Sequence, residues 1–180
     1  MLLPLLRRRR SIRQFQQRPV EADKVRLLME ALLRAPSSRG RNPWEFIVVE
    51  DPARLKKLAR AKAHGSAFLD GAPLAVVLCG DPERSDVWIE DCAIAAIILQ
   101  LAAESLDLGS CWAQIRLRLH RDGRTAEDYL RSVLNLPENL RVLALVGIGY
   151  PAESKPGHDL ESLAWEKMHR NLYGGEAEKG

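Results

Sequence analysis

Two stretches of this chain carry residue types suited to gripping a phosphate beside a flat ring. Arg7-Arg8-Arg9-Arg10-Ser11-Ile12-Arg13 offers a run of guanidinium groups and one hydroxyl. Planar guanidinium N–H pairs bind phosphate oxygens bidentately. Downstream, Ala35-Pro36-Ser37-Ser38-Arg39-Gly40-Arg41-Asn42-Pro43-Trp44 reads as a loop whose small side chains let backbone come close to a ring. Together the two stretches form a socket for one phosphorylated, planar cofactor. Taken alone, the arginines fit better a solvated basic terminus, or a weak anchor to RNA or acidic lipid.

Other chemistries find no support. Gly147-Ile148-Gly149-Tyr150-Pro151 ends a late apolar run and meets proline, so it is a strand-end turn and not a dinucleotide fingerprint. His64, His120, His158 and His169 have no partner at i+4, which argues against a zincin-type metal site and leaves them as isolated surface histidines. Cys111 has no base in its neighbourhood of sequence and reads as a packed thiol. Phosphate-loop, kinase and hydrolase-elbow patterns are missing from the sequence. Any catalysis then falls to a cofactor and not to a side chain.

These residues must be positioned by a mixed set of helices and strands. Val25, Leu28, Met29, Leu32 and Leu33 fall on one helical face between Asp23 and Arg34, and Pro36 stops that helix. Trp44 to Val49 is aromatic and β-branched, hence a strand, and Asp51-Pro52 opens a second amphipathic helix through Leu55, Leu58 and Ala59. Pro73 to Cys79 reads as a buried strand. Asp86 to Leu108 reads as a long helix, apolar on nearly every side from Ala93 to Ala103, which calls for cover by a partner subunit. Gly109 is expected to cap it. Alternation of Ile115, Leu117 and Leu119 with Arg116, Arg118 and His120 predicts a half-buried strand or arm over Cys111 to Leu119. The same basic run could hold the phosphates of a nicotinamide cofactor, though a half-exposed strand shows the same pattern. Thr125 with Asp128 caps a helix to Leu134, and Leu140 to Tyr150 is an apolar strand closed by Pro151.

At 180 residues with 46% hydrophobic content the chain suits one folded domain, taken as residues 1–174 with a flexible tail at 175–180. A net charge of +3 fits anionic small molecules and falls short of a nucleic-acid surface. Cys79, Cys92 and Cys111, without CxxC spacing, imply a reducing compartment, free thiols and no zinc. The opening Met1-Leu2-Leu3-Pro4-Leu5-Leu6 precedes its arginines, the wrong order for a secretory signal, and Ala93 to Leu99 is too short to span a bilayer. A cytoplasmic, soluble protein with no membrane or nucleic-acid partner is expected.

Several segments, in order, resemble the nitroreductase family of FMN-dependent oxidoreductases. They are Arg9-Arg10-Ser11-Ile12-Arg13, Ala35-Pro36-Ser37-Ser38 with Pro43-Trp44, Leu108-Gly109-Ser110-Cys111-Trp112, Val146-Gly147-Ile148-Gly149-Tyr150-Pro151, and Trp165 through Gly174. The resemblance covers nearly the whole chain, at the length of compact members. It implies an α+β fold with a central mixed sheet flanked by helices, an intertwined homodimer, and FMN at the subunit interface. By that resemblance Arg9, Arg10, Ser11 and Arg13 hold phosphate, ribityl chain and pyrimidine edge. Pro36, Ser37 and Ser38, with Arg34 before them, reach the flavin of the opposite subunit. Trp112, Ala113 and Gln114 bring backbone to the ring, and Lys167 and Arg170 match basic positions near the phosphate. Trp112 is the tryptophan placed by the ring, whereas Trp44, Trp88 and Trp165 serve core or interface. The chain departs from the family pattern at Gly40, where many members have Asn, at Asn42, where many have Gln, and at Ala113-Gln114, where many have Gly after the tryptophan.

The reaction the resemblance implies is a two-step, ping-pong hydride transfer. NADH or NADPH reduces FMN, and an electron-poor acceptor such as a nitroaromatic, quinone or enone is then reduced. Arg13 would stabilise negative charge on the pyrimidine edge. A flavin-storing or flavin-sensing protein without turnover shares the same socket, and a basic nucleic-acid-binding module would not hold flavin at all.

Overall fold

Residues 1–175 are described by a computed structural model. Of the expected tail, Gly175 alone lies among the described residues, and its amide donates to the Leu172 carbonyl at 3.0 Å. The chain opens with a short helix, α1 (Leu2–Arg8), that buries no residue and has no counterpart among the expected elements. Helix α2 (Ala22–Leu33) buries Val25, Leu28 and Leu32 of its stripe and leaves Met29 and Leu33 exposed. Strand β1 (Trp44–Val49) leads to α3 (Pro52–Ala59), where the Asp51 carboxylate accepts from the Arg54 amide at 2.9 Å and Pro52 starts the helix. Strand β2 (Leu74–Gly80) is buried throughout.

Helix α4 (Trp88–Ser105) is followed by β3 (Gly109–Gln114), α5 (Ala126–Leu134) and β4 (Arg141–Gly149). At α5 the Thr125 hydroxyl accepts from the Asp128 amide at 3.0 Å, the cap expected from the sequence. The strands lie in the order β1-β2-β4-β3 and pair antiparallel in all three ladders. The mixed character expected of the sheet comes down, among the described residues, to an isolated parallel bridge between Ser11 and Ser110 on the outer edge of β3.

Because successive strand residues face opposite sides, β2 serves two cores. Leu74, Val76 and Leu78 pack under α2 and α4, whereas Ala75, Val77 and Cys79 pack with Leu55, Leu58 and Leu130 of α3 and α5. The result is an α+β sandwich with helices on both faces of the sheet. No helix among the described residues is long and apolar enough to cross a membrane.

Three local expectations are corrected. The long helix stops at Ser105, short of Leu108, and the left-handed residue after it is Asp107, with φ of 59°, not Gly109. Gly109 begins β3 instead, and glycine is needed there because a Cβ would stand 2.8 Å from the Cβ of Ile12. The expected arm over Cys111 to Leu119 is a strand only to Gln114. Leu117 turns into the left-handed region at φ 60°, and both Leu117 and Leu119 face outward. His120 is half-buried and not a surface group, stacked on Tyr129 at 4.3 Å between ring centroids.

Residues between α2 and β4 lock the near side of this frame. The Tyr150 hydroxyl donates to the Glu21 carboxylate at 2.7 Å, Arg18 donates to the same carboxylate at 2.5 Å, and Lys24 Nζ donates to the Leu106 carbonyl at the end of α4. The Tyr150 hydrogen bond, then the Glu21 amide and Arg18, hold the Glu21 carboxyl down from the usual 4.5 to about 2. A carboxyl depressed on folding adds stability above its unfolded value and loses it as pH falls through its folded value. Glu21→Gln is therefore expected to lower Tm at neutral pH, with the gap to wild type closing between pH 4.5 and about 2. A gap that stays constant over that range in thermal melts contradicts the ion-paired role of Glu21.

Candidate flavin-binding site

The arginine-rich segment is held on the edge of β3. The Ile12 amide donates to the Ser110 carbonyl at 3.0 Å, and Ser11 pairs with Ser110 in parallel, which lays Arg9 to Arg13 beside Cys111. The segment that follows β4 clasps it from the other side. The Glu153 carboxylate accepts from the Arg13 amide at 2.5 Å and the Gln14 amide at 3.3 Å, and Lys155 Nζ donates to the Ser11 carbonyl at 2.8 Å and to Glu153 at 2.9 Å. Those amide bonds, with Lys155, hold the Glu153 carboxyl below its ordinary value. Arg10 donates to the Pro156 carbonyl.

Between the two segments opens a cavity of about 490 Å³, walled by Arg8, Arg10, Lys155, Glu153 and Glu104. Arg8 is paired with Glu104 at 3.2 Å. Three cations, Arg8, Arg10 and Lys155, and Ser154 line this space as groups suited to a phosphate, alongside the carboxylates of Glu104, Asp107 and Glu153. On the inner side, burial pushes the Cys111 thiol up, and Arg13, Ser11, Lys155 and Lys62 pull against that. Cys111 is thus a neutral packed thiol ringed by positive charge, as are Cys79 and Cys92 without the ring, both pushed up to about 12 by burial.

The remaining expected residues divide. Trp112, Ala113 and Gln114 continue β3 from Cys111, next to the arginine segment. The Ala113 side chain is buried in the core under α3 and α5, so it presents only backbone outward, while the Trp112 indole donates to Gln114 Oε1 at 3.1 Å. Pro36, Ser37 and Ser38 stand elsewhere, at the start of α4. There the buried Asp91 carboxylate accepts from the Ser38 amide at 2.8 Å and from the Ser85 hydroxyl at 3.1 Å. The loop turns through three left-handed residues, Arg39, Gly40 and Asn42, types among which Gly and Asn adopt this region most readily. Asn42, one of the two departures from the family pattern here, is a type that suits its left-handed φ of 48°. The Asn42 amide donates to Ser37 Oγ at 2.8 Å and closes the turn.

Glu104, beside the arginines, and Asp91, beside the serines, sit at opposite ends of α4, about 20 Å apart at roughly 1.5 Å of rise per residue. Arg8, at the start of the arginine segment, and the Pro-Ser-Ser loop thus lie at opposite ends of α4 within one chain. Arg34 is exposed and engaged with Glu30 at 2.8 Å within α2. Lys167 and Arg170 lie on an exposed C-terminal segment outside the cavity at Arg10. Lys62, Asp91, Glu153 and Lys155 were not legible as site residues. The available signals were a basic residue two positions past Glu153 after the strand-closing Pro151, and an acid in the first turn of an otherwise apolar helix.

The sequence profile of the nitroreductase family matches residues 6–66 and 52–150. An FMN-dependent nitroreductase from Clostridium difficile R20291 is 42% identical and superposes with a TM-score of 0.92 over 94% of this chain and 99% of its own. A relative from Archaeoglobus fulgidus, named for NADH dehydrogenase and NAD(P)H nitroreductase activities, is 35% identical over 176 residues, 95% of this chain and 98% of its own. A structure from Desulfovibrio desulfuricans solved in complex with FMN is 26% identical, with a TM-score of 0.72 over 91% of this chain and 95% of its own.

Proposed function

This chain belongs to the nitroreductase family, and we propose that it works as a homodimeric FMN oxidoreductase passing hydride from NAD(P)H to an electron-poor acceptor such as a nitroaromatic, quinone or enone. The chemistry FMN supplies when bound is hydride transfer in two half-reactions, from the nicotinamide donor and then to the acceptor. Arg9, Arg10, Ser11 and Lys155 would hold the phosphate end; of these, Arg10 and Lys155 line the cavity beside β3. Arg13, and with it Lys62, would supply positive charge to the pyrimidine edge of a bound flavin. The backbone of Trp112 to Gln114 forms the floor. Lys167 and Arg170 would reach a phosphate only across the subunit boundary.

The observation that carries this reading is the separation of the two halves of the socket along α4, which two protomers resolve if the Pro36 to Ser38 loop of one serves the arginine segment of the other. The outward stripe of α4 supports it: Ile94 and Ile97 are 41% and 39% exposed in the single chain, on the face that a second subunit would cover. The free, buried cysteines suit the cytoplasm. Anaerobic mixing of the yellow protein with NADH or NADPH is expected to bleach its visible flavin absorbance, and a nitroaromatic or quinone to restore it. A protein that keeps its colour under both donors is a flavin binder and not this enzyme.

A further inference from the structure

A second basic cavity opens on the α3 side of the sheet, and it is not explained by flavin binding. The loop after α3 carries Arg60, Lys62 and His64, and it is joined to the loop after β3 by a hydrogen bond from the Ala63 amide to the Leu119 carbonyl at 3.3 Å. Between them lies a space of about 560 Å³ walled by Lys56, Arg60, Lys62, His64, His120 and Arg121, with Asp70 its one carboxylate. Several cations elsewhere are ion-paired, Arg8 with Glu104, Arg54 with Asp51, Arg124 with Asp122 and Arg141 with Glu127. Lys56, Arg60, Lys62 and Arg121 have no ion pair among the described residues.

Lys62 belongs to both places. It walls this cavity, and its charge acts on Cys111 together with Arg13 and Lys155. Burial and the neighbouring Arg118 charge lower its pKa, the condition of a cation that lacks a counter-ion. Four cations without an ion pair around a space of this size suit a phosphate-bearing ligand.

We propose that this cavity binds the phosphates of the nicotinamide donor, with Arg60 and Arg121 gripping the 2′-phosphate of its adenosine and so favouring NADPH over NADH. This rests on the oxidoreductase reading above. It also divides the basic run after β3 by function: His120 and Arg121 face this cavity, whereas Arg116 and Arg118 line another space together with Arg141 and Trp88.

The test is calorimetric titration of the flavin-loaded protein with adenosine 2′,5′-bisphosphate, adenosine 5′-monophosphate and inorganic pyrophosphate, in wild type and in an Arg60→Ala/Arg121→Ala double variant. The bisphosphate is expected to bind at least about tenfold more tightly than the monophosphate and to lose about tenfold or more in the double variant. Equal binding of the two nucleotides, or binding insensitive to the two substitutions, overturns the proposal. Pyrophosphate binding as tight as the bisphosphate also overturns it, since the cavity would then be a general anion site. Arg60→Glu with Arg121→Glu serves as a second variant and should abolish bisphosphate binding. Flavin content of the same samples separates the two readings: colourless wild-type protein counts against the FMN assignment, whereas yellow protein with no nucleotide discrimination counts against this cavity alone.

Discussion

A Glu153→Ala variant is expected to lose about tenfold or more in FMN affinity, because one carboxylate organises the whole phosphate-facing segment through charge-assisted hydrogen bonds. Glu153 accepts from the amides of Arg13 and Gln14 and from Lys155 Nζ, and Lys155 in turn reaches the Ser11 carbonyl. Removing the carboxylate frees two backbone amides and leaves Lys155 without its partner, so Ser11 and Arg13 no longer share one fixed placement. Glu153→Gln keeps an acceptor for the amides but gives up the charge, and it should fall between wild type and Glu153→Ala. Fluorescence titration of stripped protein with FMN measures both. An affinity unchanged in Glu153→Ala would show that the arginine segment is held without Glu153, by its bridge to Ser110 and its bonds to Lys155 and Pro156.

The second large effect is expected at Asp91, on stability and loop placement together. Its carboxylate is buried in the first turn of α4 and is the acceptor for the Ser38 amide and the Ser85 hydroxyl. Asp91→Ala strands both donors away from water, a loss of about 2–3 kcal/mol for charge-assisted bonds of this kind. For a chain of this size that corresponds to roughly 5–10 °C in Tm. Three left-handed residues, Arg39, Gly40 and Asn42, follow this anchor, and without it the loop should also sample other shapes and hold flavin less well. A melt unchanged by Asp91→Ala would mean that the Ser37 to Asn42 hydrogen bonds suffice to fix the loop.

Elements governed by local pattern were legible before any coordinates: the Val25/Leu28/Leu32 stripe, the aromatic and β-branched run of β1, the Asp51-Pro52 and Thr125/Asp128 starts of α3 and α5. Reading failed where long-range packing overrides local preference. Gly109 looks like a helix cap, but its glycine is demanded by Ile12, far back in the chain, pressing on the edge of β3. Arg116 to His120 alternates like a strand, yet the regular ladder ends at Gln114, the Ile115 and Arg116 amides share the Leu143 carbonyl, and the chain turns at Leu117.

The site shows the same division. Residue types that bind phosphate announce themselves wherever they stand, so the arginine segment and the serine loop were visible. The residues that fix them come from far along the chain: Glu153 and Lys155 from beyond β4, Asp91 from inside an apolar helix. A carboxylate whose partners include backbone amides from a distant segment carries no mark of that role in the sequence.

Subunit complementation tests the shared socket most directly. One variant, Arg10→Ala/Lys155→Ala, removes cations from the phosphate cavity, and another, Ser38→Trp, fills the loop; each alone should purify without bound flavin. Co-expressed and isolated as the mixed dimer through two different tags, they restore one intact pairing, and the account predicts about one FMN for every two chains. A mixed dimer as colourless as either parent would mean that each chain builds its flavin site from its own arginines and its own serine loop, and the two-protomer account would be wrong.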